Sequence, residues 1–302
     1  LLGLGAYLIW GVLPLYFKLL AGLQPVEIVA HRVIWSLIFL AALAGLLRRW
    51  DGIRAALSEP RTLVMLLLSA TLIGGNWLVY IWAVLNGHVL EGSLGYYLNP
   101  LVNVLLGTLF LKERLTRMQM VAVALASAGV AVLAMGAGSG LWISLTLAGT
   151  FAFYGFIRKV APVESLEGLS IETILLAPFA LGWILWLGDS GGFPADLSTN
   201  ILVVLSGAVT AVPLLLFAGA ARRLPYSTLG FLQYLSPSLQ FLLAVVVFGE
   251  ALTTAHMLCF GAIWAALAIF AVEGVRAGRA AAQARLEQTR DVAACTEPCS
   301  AP

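Results

Sequence analysis

Residues 94–116 read LGYYLNPLVNVLLGTLFLKERLT, and residues 229–253 read LGFLQYLSPSLQFLLAVVVFGEALT. From Tyr97 to Val121 the second stretch repeats the first at a constant offset of 137, with nine of 25 aligned positions identical. The identities include Tyr97/Tyr234, Pro100/Pro237, Glu113/Glu250 and Thr116/Thr253. Apolar composition alone makes leucines coincide. It does not readily produce a proline and a glutamate 13 residues apart in both copies, so the chain carries an internal duplication.

The polar positions of this stretch fall on one helix face. Tyr96, Asn99 and Asn103 are spaced i, i+3, i+7, and their counterparts Gln233, Ser236 and Gln240 keep that spacing. Two readings compete. Amides in apolar helices hydrogen-bond across helix pairs, or the matching stripes line a wet cavity between two halves. The prolines favour the cavity. Pro100 and Pro237 cannot donate to the carbonyls four residues back, which belong to Tyr96 and Gln233. Such backbone is tolerated at membrane depth beside protein or a water-filled cavity.

Apolar residues make up 61% of the 302-residue chain and charged residues 11%, against roughly 45–50% and 25% in soluble domains. Too few charges remain to cover a globule, so the chain is expected to be an integral membrane protein. A net charge of +2 without a basic patch argues against nucleic acid. Of three cysteines, Cys259 lies in an apolar segment, and Cys295 and Cys299 lie in a polar tail without metal-site spacing.

Stretches long enough to span recur at about 2–20, 26–47, 62–85, 92–111, 118–136, 141–157, 170–187, 199–221, 227–249 and 255–275. The first has no charged n-region or small-residue cleavage site and reads as a span, not a signal peptide. Ten spans make two five-helix repeats, 1–137 and 138–275, followed by a tail at 276–302 whose polar end is expected to be disordered. With the first residue cytoplasmic, 15 of the 17 Lys and Arg residues fall on the cytoplasmic side, among them Arg158 and Lys159 in one loop. Only Lys18 lies outside, and Arg32 falls within a span. That distribution predicts cytoplasmic N- and C-termini. Because five is odd, the second repeat enters the membrane from the opposite side. The expected fold is all-α, with ten transmembrane helices in two inverted repeats and a site near the midplane between them.

The stretches AYLIWGVLPLYFK (6–18), EIVAHRVIWS (27–36), LIGGNWLVYIWAV (72–84), EGSLGYYLNPLVN (91–103), FAFYGFIRK (151–159) and STLGFLQYLSPSLQFLLAV (227–245) resemble the EamA-type transporters of the drug/metabolite transporter superfamily, and within them the RarD-type permeases. The resemblance covers residues 1–275. It implies ten spans in two inverted five-span repeats, a bacterial inner membrane, and export or exchange of small organic solutes without ATP. RarD-type members are associated by name with chloramphenicol.

Each of the three lysines, Lys18, Lys112 and Lys159, follows Phe, Leu or Arg, so no phosphate-binding Gly-Lys-Ser/Thr occurs. The GAGSG run at 136–140 joins two apolar spans and reads as a loop. His31, His88 and His256 are scattered. Neither a metal nor another cofactor is expected, and the oligomeric state stays open. His31, Arg32 and Glu172 are ionisable residues inside spans, where a charge costs roughly 2.5–3.5 kcal/mol or more and usually faces a cavity or the protein interior. They are candidates for ion coupling or for contact with a charged group. Arg32 could instead snorkel to the interface, and Glu172 could sit at the cytoplasmic end of its helix. Trp10 and Tyr154 each precede a glycine in the first span of a repeat, and Asn76 and Tyr80 share a face of the third span. Aromatic walls with sparse polar groups suit a small amphipathic solute. A secondary transporter is therefore the favoured reading. A membrane-embedded enzyme needs a nucleophile–base pair or paired carboxylates, which the spans lack. A non-transporting receptor does not need matching faces.

Overall fold

The computed structural model describes residues 1–20, 22–85, 88–135, 140–188, 196–247, 254–255, 257–273 and 276. Among the described residues the chain is helical throughout, without strands. The helices are α1 (Leu2–Leu19), α2 (Pro25–Leu46), α3 (Trp50–Ser58), α4 (Pro60–Leu85), α5 (Val89–Leu109), α6 (Arg117–Ala134), α7 (Leu141–Val160), α8 (Ser165–Leu187), α9 (Leu197–Arg223), α10 (Tyr226–Gln233), α11 (Leu235–Val246) and α12 (Met257–Glu273). Among the described residues, five segments are long and apolar enough to cross a membrane: Val26–Leu46, Pro60–Tyr80, and the whole of α7, α8 and α9.

Local chemistry fixes several ends. Proline opens α2, where a missing N–H costs nothing. Asp196 caps α9 by accepting from Ser198 and from the Thr199 amide at 2.9 Å. The Ser198 hydroxyl, then the Thr199 amide and hydroxyl, hold its carboxyl down to about 2. Gly188, at φ 58°, ends α8 in a conformation that side chains disfavour.

Three features depart from the expected spans. The segment after the second span is helix α3, whose buried Ile53 packs into a small core with Leu66 and Ile171, while Arg49 ion-pairs Glu167 of α8 at 3.4 Å. The ninth span is interrupted at Tyr234, although its φ and ψ of −59° and −17° stay helical. Pro237 removes one rung of the ladder without turning the chain, and Pro100 lies inside an unbroken α5. Third, Arg158 does not lie in a loop. It belongs to the last turn of α7, and its side chain is wholly buried. The reason is Glu172, which sits in the second turn of α8 and supplies the opposite charge.

The largest helix contacts join early helices to late ones. α1 packs on α9 and α11, α2 on α8 and α9, α4 on α7 and α8, and α5 on α7 and α10. Small residues allow the closest crossings. A side-chain carbon on Gly230 would lie 2.8 Å from the Pro100 carbonyl oxygen, and one on Gly207 would overlap the backbone of Trp35. Ser36 donates to the Gly207 carbonyl at 3.1 Å across that second crossing. The main core therefore lies between the halves. It holds Tyr7, Phe151, Tyr154, Phe217, Tyr226 and Leu229, with Tyr154 stacked on Phe217 at 6.0 Å between ring centres.

Glu113, one of the repeated residues, has a structural role in this frame. Its carboxylate accepts from the amides of Tyr226 and Ser227 and from the Ser227 hydroxyl, so it caps the first turn of α10. Its counterpart Glu250 and the neighbouring Thr253 lie outside the described residues, as do His256, residues 136–139 of the GAGSG run and the tail from 277.

Candidate functional site

A cavity of about 310 Å³ opens beside that core, walled by α1, α2, α4, α5, α7, α9, α10 and α11. Much of its lining is aromatic, with Tyr7, Trp10, Trp77, Tyr80, Tyr96 and Phe151. Its polar lining residues are Asn76, Thr210, Gln233, Ser236 and Gln240, together with Arg32. Of the residues singled out in the sequence, Trp10, Asn76, Tyr80, Tyr96, Gln233, Ser236 and Gln240 are brought together around this cavity.

Hydrogen bonds determine which end of each amide is on offer. Asn76 donates from Nδ2 to the Leu147 carbonyl (2.9 Å) and to Thr150 (2.8 Å), so its oxygen is the group it can present. Gln233 accepts on Oε1 from Asn103 at 3.0 Å, which leaves it an NH₂ donor. Gln240 donates to the Trp10 carbonyl at 3.0 Å, tying α11 to α1. The Tyr80 and Tyr96 rings meet edge-on at 5.5 Å.

Asn99 and Asn103 do not line this cavity. Both are fully buried. Asn103 holds Gln233 across the α5–α10 crossing, so at that position the stripe is interhelical glue. Asn99 has no hydrogen-bond partner for either side-chain polar atom among the described residues.

Arg32 does not snorkel. Its Nε donates to Thr210 Oγ1 of α9 at 2.8 Å, and its guanidinium carbon lies 5.1 Å over the Trp77 ring of α4. His31, its neighbour, is buried and lines neither this cavity nor the smaller one beside it.

The smaller cavity, about 20 Å³, is bordered by Ser36, Tyr154, Glu172 and Thr173 and shares Ile73, Trp77, Thr210 and Leu214 with the larger one. Tyr154 belongs here and not to the main cavity. Glu172 accepts from Ser69 of α4 and faces Arg158 Nε at 3.7 Å. Arg158 also donates from Nη2 to the Ser165 carbonyl at 3.0 Å. Gly168 makes room for it, since a side-chain carbon there would overlap the guanidinium. Sequence reasoning missed Arg158, Ser69, Trp77 and Thr210. The signal for Arg158 was available: a glutamate inside the seventh span needs a cation, and Arg158 lies one helical turn beyond Tyr154 on the same face.

The EamA-like transporter family matches residues 1–135 of this chain. An "Uncharacterized transporter" of Vibrio cholerae is 48% identical over 288 residues, covering 94% of this chain and 95% of its own. "Protein RarD" of Escherichia coli K12 is 48% identical over 280 residues, covering 91% and 94%. "Chloramphenicol-sensitive protein RarD" of Pseudomonas aeruginosa is 36% identical over 281 residues, with the same two coverages. One solved crystal structure matches with a TM-score of 0.70, over 89% of this chain and 95% of its own, at 22% identity. At that identity the likeness concerns the fold alone.

Proposed function

We propose, from the premise that the chain belongs to the EamA-like transporter family and is a multi-pass bacterial membrane transporter of the RarD type, that it exports or exchanges small organic solutes by alternating access, without nucleotide. The observation that carries this reading is the position of the 310 Å³ cavity between early and late helices, walled by both copies of the duplicated stretch.

Ten crossings in two inverted repeats account for the helix order. At the offset of 137, α4 begins at Pro60 and α9 at Leu197, and α5 spans the same interval as α10 with α11. On this reading α3 does not cross, α10 and α11 form one crossing, and both termini are cytoplasmic. Inverted repeats rock about a shared site, and equivalent residues then exchange roles. Ser236 and Gln240 line the cavity, while their counterparts Asn99 and Asn103 are buried. The unpartnered Asn99 suits a conformation in which the first stripe takes the lining position, because a buried amide without partners costs about 1–3 kcal/mol.

If protons drive transport, Glu172 is a better carrier than His31, because it borders the small cavity that shares Trp77 and Thr210 with the large one. Counterflow tests the proposal. Proteoliposomes preloaded with an unlabelled amino acid, nucleobase or chloramphenicol should accumulate the labelled form without nucleotide. A requirement for ATP, or uptake that preloading does not stimulate for any member of the panel, would overturn it.

A further inference from the structure

We propose that the transported solute is a monoanion, a carboxylate on an aromatic or apolar body, and that Arg32 binds the carboxylate. The inference rests on the reading of the large cavity as the transport site and adds the class of molecule it takes.

Arg32 is the only formally charged side chain among the described residues lining the cavity, and neither Asp nor Glu is among them. An arginine at membrane depth is costly and needs a reason. Snorkelling does not supply one, since the guanidinium is directed into the protein. Three helices hold it: α2 carries it, Thr210 of α9 accepts from Nε at 2.8 Å, and the Trp77 face of α4 lies 5.1 Å beneath. A guanidinium fixed in its plane is preorganised for the two oxygens of a carboxylate, which it engages through parallel N–H bonds. Gln233 adds a neutral donor to the lining, because Asn103 occupies its oxygen. Trp10, Trp77, Tyr96 and Phe151 supply aromatic lining for the rest of the solute. A cation would meet like charge, and a neutral solute would forgo the charge-assisted bond. A phosphate dianion would want a second cation, which the lining lacks among the described residues. At 310 Å³ the site is at the small end of ligand pockets, roughly 300–1,000 Å³, so it holds one small molecule.

A matched series tests this: 3-phenylpropionate, its primary amide, and 3-phenylpropylamine. Each is titrated against the purified protein in nanodiscs, and affinity is read from thermal stabilisation. The acid should bind the wild type roughly tenfold or more tighter than the amide or the amine, as a charge-assisted bond implies. Arg32→Gln should abolish the preference, so that acid and amide bind equally. Arg32→Lys should retain part of the preference, having the charge without the fork. Equal or weaker binding of the acid in the wild type overturns the inference, as does an acid preference that survives Arg32→Gln or a failure of all three probes to bind at millimolar concentration. The wild-type comparison decides even if Arg32→Gln does not fold. Gln240→Leu separates the two levels of the argument. If it weakens binding while acid and amide bind equally, only the anion assignment fails. If binding ignores both Gln240→Leu and Arg32→Gln, the cavity itself is the wrong site.

Discussion

Replacing Glu172 alone should destabilise the protein more than replacing it together with Arg158. The two side chains are 2% and 0% exposed, with Nε and Oε1 3.7 Å apart. At an effective dielectric constant of about 20, unit charges at that distance attract by about 4–5 kcal/mol. Glu172→Gln removes the attraction, keeps an acceptor for Ser69, and leaves Arg158 charged with only the Ser165 carbonyl as a named partner. Breaking a buried pair from one side costs about 3–5 kcal/mol, whereas replacing both partners with apolar groups of similar volume is often neutral. Glu172→Gln should therefore cost about 3–5 kcal/mol, and Arg158→Met with Glu172→Leu should cost clearly less, because the Ser69 hydroxyl, having lost Glu172, still donates to the Leu66 carbonyl at 3.2 Å. Reversible unfolding in mixed micelles, read by tryptophan fluorescence, measures both and closes the cycle with Arg158→Met. A cost below about 1 kcal/mol for Glu172→Gln, or a double variant worse than either single one, would refute the reasoning. The buried pair would then not be what holds α7 to α8.

Four further outcomes are expected. Asn103→Leu and Gln240→Leu should each impair counterflow several-fold while leaving folded protein in the membrane; normal transport by both would reduce the stripe to interhelical packing. Glu113→Ala removes the carboxylate that caps α10 and should cost about 1–2 kcal/mol, measured by thermal unfolding, with little effect from the same change at exposed Glu59. If protons drive transport, Glu172→Gln with His31→Ala should abolish flux driven by a pH gradient but spare exchange; unchanged gradient-driven flux would acquit both residues. In a cysteine-free background, single cysteines at Arg117 and Thr254, which are equivalent at the offset of 137, should be labelled from opposite sides by an impermeant thiol reagent. On intact cells Thr254 should react and Arg117 should not. Reaction from the same side would remove the inversion.

Much of the helical, membrane-spanning character was legible because membrane helices announce themselves by length and apolarity. α3 was not, because a nine-residue amphipathic helix between spans has the composition of a loop, and only Ile53 and its contact with α8 give it a reason to form. The interruption at Tyr234 was half legible. Pro237 predicts a missing rung, but whether a helix bends or continues depends on its neighbours, and Pro100 removes the equivalent rung inside an unbroken α5. The polar stripe was legible as a face and not as a destination. Periodicity places Asn103 and Gln240 on equivalent faces of their helices. It cannot say that one meets Gln233 at a crossing while the other meets a cavity wall.

The pairing of the intramembrane charges decides the character of the cavity. At the repeat offset Arg32 corresponds to Leu169, three residues before Glu172, so sequence alone gives no reason to prefer one arginine over another as the partner of that glutamate. The structure commits Glu172 to Arg158, with Glu172 bordering the small cavity and not the large one. Had the glutamate faced Arg32, the large cavity would carry a neutral ion pair and would suit an uncharged or zwitterionic solute. With Arg158 taking the carboxylate, no acid lines the cavity among the described residues, and the lining keeps a formal positive charge. Ser69, Arg158 and Gly168 lie outside the large cavity, yet through their contacts with the glutamate and with one another they bear on the charge of its lining. Arg158→Met therefore tests more than stability. If it frees Glu172 to approach the shared wall, the acid preference of the cavity should fall while the amide still binds. An acid preference unchanged in a folded Arg158→Met protein would separate the buried pair from solute recognition.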